Sequence, residues 1–156
     1  MIKIDCDSLV DSKFLGVPYL ELNAGEEDRG FDGTNCMGIC VLWLKSKGYD
    51  YSLDFRKEKH LRHWWAHQPK RFVNTIMEHG RFIRFSELRK FDVILFFSES
   101  DDSERFPTHM GVMIDDRHYL SSKQEIGSFV RMIDLRDKAK FFGGIRLHKV
   151  TEKIEA

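Results

Sequence analysis

The 156-residue chain is predicted to fold as a single α+β domain. Three observations lead there. Helix-period segments occupy its first half, apolar strand-like runs separated by turns occupy the second, and one cysteine stands where the first long helix should begin. Helices followed by a meander of strands predict helices packed on an antiparallel sheet of about five strands.

Residues 7–15, with Leu9, Val10, Phe14 and Leu15, read as a short helix that Gly16 and Pro18 end. Val17-Pro18-Tyr19 is an extended turn, and the polar stretch 23–33 is a loop that delivers the chain to Cys36. Residues 31–48, FDGTNCMGICVLWLKSKG, carry the helix: Thr34 and Asn35 are capping types, Lys45 and Lys47 fall in the last turn, and Gly48 stops it. With Asn35 as the N-cap, Cys36 is the first helical residue. There the helix dipole and the unpaired backbone N–H groups are expected to lower its pKa, which is the address of a nucleophile. The same face carries Ile39, Cys40, Trp43 and Leu44, so Cys36 also fits as a small buried apolar residue.

Residues 49–55 alternate weakly. Residues 57–67 are helix-like, with Leu61, Trp64 and Trp65 inward. Pro69 then opens a second helix striped by Phe72, Val73, Ile76 and Met77, with Gly80 as its cap. From residue 91 the period changes. DVILFF (92–97) is a buried strand, 110–114 a second, 118–121 a third across the turn Asp115-Asp116-Arg117, 128–133 a fourth and 144–149 a fifth, with a helical turn at 134–141. Residues 151–156 are a tail, and the acidic stretch 99–104 is a solvated connection without calcium-loop spacing. No repeat or low-complexity linker divides residues 1–150, which form one domain with a helical insertion at about 56–80.

Composition excludes several functions. Hydrophobic residues are 42% and charged residues 32%, an ordinary globular balance. Lys plus Arg, 25, cancels Asp plus Glu, 25, so no overall field draws the chain to nucleic acid or to an anionic membrane. No apolar run is long enough to span a bilayer, and MIKIDCDSLV has no stretch of signal-peptide length, so a cytoplasmic product is expected. Three cysteines, an odd number, then argue for reduced thiols. His60, His63 and His67 share a helical face, the look of a zinc helix, but no Cys or carboxylate nearby completes a site. The basic and aromatic stretch RKEKHLRHWWAHQPKR could grip single-stranded nucleic acid, yet its tryptophans sit at core spacing. Neither a metal, a cofactor nor a nucleic-acid partner is assigned.

A cysteine nucleophile needs a base, and imidazole is matched to the task near neutral pH. Among seven histidines, His109 stands at the start of a core strand straight after a polar loop, and Ser121 or Ser122 on the next strand could orient its ring. The chain here resembles the NlpC-type cell-wall cysteine endopeptidases, a papain-like family. Gly16-Val17-Pro18-Tyr19, Asn35-Cys36-Met37-Gly38, the strand FDVILFF from Phe91 to Phe97, and His109-Met110-Gly111-Val112-Met113-Ile114 follow the family's blocks in order.

The resemblance implies a papain-like fold with the nucleophile at a helix start. It also implies an activity: a cysteine peptidase or amidase cutting peptidoglycan stem peptides, with Cys36 as nucleophile, His109 as base, Ser121 in the third position and Tyr19 lining the site. Acyl transfer on the same Cys-His pair is an alternative. So is a catalytically silent member serving as a structural or docking component of a phage tail, and delivery within a virion would supply the export that the chain's own start does not. Four positions depart from the family's pattern: Asn35 replaces Asp, Met37 replaces Ser, Phe91 replaces Gly, and Ser121 stands where His, Asn or Gln is usual. A serine hydroxyl reaches less far than those groups and is expected to orient His109 weakly.

Overall fold

The structure, a computed structural model, describes residues 6–19, 30–34, 36–49, 80–97 and 107–148. Its centre is the helix α1, Cys36–Ser46, laid on one face of a six-stranded sheet. The strands are β1 (Gly80–Ile83), β2 (Val93–Phe97), β3 (Pro107–Met113), β4 (His118–Lys123), β5 (Gly127–Met132) and β6 (Phe141–Leu147), in the order β1-β6-β2-β3-β4-β5. Every pairing is antiparallel. A five-residue helix, α2 (Leu135–Ala139), joins β5 to β6.

The unbroken apolar run of β2 follows from its central place, because both of its faces are covered. Val93 and Leu95 join Met110, Val112, Leu120 and Ile145 beneath α1, whereas Ile94 and Phe96 meet Met113 and Tyr119 on the far face. The helix ends as its sequence predicts. Gly48, at φ 91°, turns the chain while its N–H reaches the Lys45 carbonyl and that of Tyr49 reaches Leu44, which satisfies two of the last helical carbonyls.

Four sequence expectations are corrected. The helix at 7–15 is instead two short 3-10 turns, Cys6–Leu9 and Ser12–Phe14, the second capped by the Asp11 carboxylate, which accepts from the Lys13 amide. Gly80 is not a helix cap but opens β1, a sixth strand whose four residues are too few to show a period. β6 begins at Phe141, three residues earlier than expected, because Phe141 and Phe142 sit at an irregularity opposite Phe96. β3 starts at Pro107, ahead of the expected Met110. Residues 57–67, the helix expected after Pro69, the acidic stretch 99–104 and the tail 151–156 lie outside the described residues.

The N-terminal turns are fastened to β5. Ser128, buried, donates its hydroxyl to the Phe14 carbonyl at 2.6 Å and accepts from the Val17 amide at 2.7 Å. Its own backbone exchanges two bonds with Gly16 and Val17. Gly127, at φ 74°, lets this approach happen, since a Cβ there would stand 2.6 Å from the Val17 carbonyl oxygen.

Candidate active site

Cys36 opens α1; position 35, the expected N-cap, lies outside the described residues. Its sulfur faces three backbone amides: its own, that of Met37, and that of Met110 on β3. The first two are orphan donors of the helix start, and the third arrives because α1 packs across β3. The thiol is also only 5% exposed and belongs to the main apolar cluster. Burial pushes its pKa up, and the three amides pull it down without prevailing. The lowered pKa expected from the helix start is thus corrected: removing a thiolate from water costs more than the partial charges at the helix end return. Cys40, one turn on, is buried likewise, with its sulfur 3.9 Å from the Leu120 carbonyl oxygen.

His109 sits directly opposite Phe96 across the β2–β3 ladder, and the two rings lie 5.6 Å apart at 35°. Register shifts on both sides of β2 fall at this point, between Phe96 and Phe97 toward β3 and between Leu95 and Phe96 toward β6. Such irregularities bend a strand end and re-aim its side chains. Ser121 on β4, fully buried, lies 2.9 Å from His109 Nε2 through its Oγ, and donates its single proton to the Met110 carbonyl at 2.6 Å. With that proton committed, Oγ can only accept from the ring. In neutral His109 the proton therefore rests on Nε2, and the lone pair is left on Nδ1.

One residue joins the two halves of the constellation. Met110 turns its carbonyl to Ser121 and its N–H to the Cys36 sulfur. That N–H directly follows His109 in the chain, so the start of α1 packs against the strand that carries the imidazole. The structure thus gathers Cys36, His109 and Ser121 around a residue that the sequence reading did not single out. Its signal lay only in backbone geometry. The expected shortfall in Ser121's reach does not arise, since close strand pairing brings the hydroxyl to hydrogen-bonding distance.

Tyr19, half-buried, forms an isolated parallel bridge with Thr34, whose amide donates to the Pro18 carbonyl at 3.0 Å. That holds the extended turn beside the segment entering α1, two residues ahead of Cys36. His118, by contrast, serves a turn: its Nδ1 lies 3.0 Å from both carboxylate oxygens of Asp115, which also accepts the Arg117 and His118 amides. Among the described residues no three His, Cys, Asp or Glu side chains converge where a metal could be held. His60, His63 and His67 lie outside them. No helix among the described residues is long and apolar enough to cross a membrane.

No family model and no curated protein sequence matches the chain. Solved structures do. An NLP/P60-family protein from Staphylococcus aureus, described as similar to a lipoprotein, superposes with a TM-score of 0.52 at 16% identity, over 86% of this chain and 38% of that one. An NlpC/P60-family protein from Bacillus cereus superposes with a TM-score of 0.56 at 18% identity, over 92% of this chain and 40% of that one. The chain spans about two fifths of the length of these structures. It has their fold, a papain-like α+β arrangement with a helix on an antiparallel sheet.

Proposed function

We propose that the chain is a cysteine peptidase or amidase that hydrolyses an amide bond in the stem peptide of peptidoglycan. Cys36 is the nucleophile, His109 the general base, Ser121 the residue that orients the imidazole, and Tyr19 a wall on the substrate side. The observation that carries this reading is the Ser121 hydroxyl, which donates to Met110 and accepts from His109 Nε2, leaving Nδ1 as the basic nitrogen.

Because burial favours the neutral thiol, attack and deprotonation go together. The Sγ proton passes to His109 Nδ1 as sulfur bonds to the substrate carbonyl carbon. The oxygen that becomes negative lies toward the amides at the start of α1, the donors such a charge requires. Collapse breaks the C–N bond, the amine leaves with the proton from Nδ1, and a thioester on Cys36 remains. Water, deprotonated by the same nitrogen, then releases the acid and restores the thiol.

The test is incubation of the purified chain with muropeptides beside Cys36→Ala. New amine and carboxyl termini with the native chain alone support the reading; equal products from both, or none from either, reject it.

The burial of Cys36 favours one second reading, a catalytically silent domain that docks within a larger assembly such as a phage tail. Alkylation separates the two. A peptidase requires Cys36 to react with iodoacetamide at about pH 6 faster than a free thiol such as glutathione, because His109 takes the proton; a silent domain reacts more slowly.

A further inference from the structure

At the other end of the sheet from His109 lies a concavity of about 360 Å³, lined by residues from β1, from the turn before β2 and from the end of β6. His109 pairs with Phe96 near the end of β2, whereas this basin opens ahead of Val93. About 13 Å of strand separates them. Its lining gathers Arg81, Arg89, Lys90 and Arg146 against a single carboxylate, Asp92.

That carboxylate is already taken. Asp92, 2% exposed, accepts from Arg146 Nε at 3.1 Å and Nη2 at 3.0 Å, and from the Arg89 amide at 2.9 Å. Arg146 Nη2 also donates to the Glu87 carbonyl at 2.8 Å. Both Nη1 protons remain uncommitted by these bonds. The side chains of Arg81, Arg89 and Lys90 have no ion-pair partner among the described residues. Arg81, moreover, stands directly opposite Arg146 across the β1–β6 ladder. Like charges so placed repel. A chain with equal numbers of acids and bases has nonetheless set four cations against one carboxylate around this small cavity.

We propose that this basin binds the phosphate group of a small phosphorylated molecule. Three cations beyond the one that Asp92 neutralises suit a dianion better than a single carboxylate, and guanidinium forks match tetrahedral oxyanions bidentately. The Arg146 guanidinium, fixed by Asp92 and Glu87, provides a preorganised donor. Phe91, under Lys90, gives the ligand's organic part an apolar wall. At about 360 Å³ the cavity falls at the small end of small-molecule sites, which favours a compact ligand over a polymer.

The experiment titrates the full chain with inorganic pyrophosphate at low ionic strength, by calorimetry and by backbone amide shifts. Saturable binding is expected, with shifts at Arg81, Lys90 and His148 and none at His109. Arg81→Gln and Arg89→Gln, both on exposed side chains, should each weaken binding about tenfold without changing the melting temperature. Absence of saturable binding, shifts centred elsewhere, undiminished affinity in both variants, or a response to an oligonucleotide with none to pyrophosphate would each overturn it. Cys36→Ala should bind pyrophosphate as the native chain does, so the outcome stands apart from that of the peptidase assay.

Discussion

Phe91 holds φ at 78°, a region that bulky side chains avoid, at the position where the resembled family carries glycine. The conformation costs about 1–2 kcal/mol. Offsetting it, the ring packs on Trp43 at 5.5 Å and on Tyr49 at 5.2 Å. Phe91→Gly should therefore destabilise by about 1–2 kcal/mol in urea unfolding, and Phe91→Ala by about 2–3, since alanine loses the packing and keeps the strain. That order reverses the usual one. Ser121→Ala removes the acceptor for Nε2 and leaves the Met110 carbonyl short of a donor. On the proposed mechanism kcat should fall about tenfold to a hundredfold with KM little changed, as steady-state kinetics would record. Both residues were visible in the sequence as departures from a pattern. What they do was not, because a backbone angle and a cross-strand distance leave no trace in residue type.

Among the elements, β2 and α1 were legible because their signals are local: a five-residue apolar run in one case, and a stripe closed by Gly48 in the other. β1 was not, since GRFI buries only its two end residues. The helical turn expected after β5 is there, and the structure supplies its caps. Asp134 accepts the Arg136 and Asp137 amides, and Asp137 accepts the Asp134 amide in return. Asp137 does more than cap. Buried, it accepts the Tyr119 hydroxyl at 3.1 Å and Arg131 Nη2 at 2.9 Å, so it ties α2 to β4 and β5. Asp137→Ala should thus cost about 2–3 kcal/mol in chemical denaturation, against about 1 kcal/mol for Asp134→Ala, which loses a cap alone.

For the whole molecule the α+β class and the chain order of most elements followed from periodicity. The insertion of β6 between β1 and β2 did not, because long-range register is set by packing that no local window contains. Burial also gives the molecule a shared pH response. Cys36, Cys40 and Tyr119 all hold their protons more tightly folded than unfolded, with desolvation as the leading cause for each. The unfolded chain gives up protons first as pH rises, so stability should be intact below about pH 8 and decline from about pH 8.5 upward. Melting temperatures between pH 7 and about 10 would record the fall, and Cys36→Ala should lessen it.

The seam at Ser128 bears on the order in which the molecule comes into being. On the ribosome, Cys36 emerges long before His109, and the segment bearing Tyr19, already bridged to Thr34, gains its second anchor only when Gly127 and Ser128 have followed. A nascent chain halted ahead of those two residues would hold the sulfur and the imidazole without the stitch that fixes the turn bearing Tyr19, so the activity proposed above has to wait for the last third of synthesis.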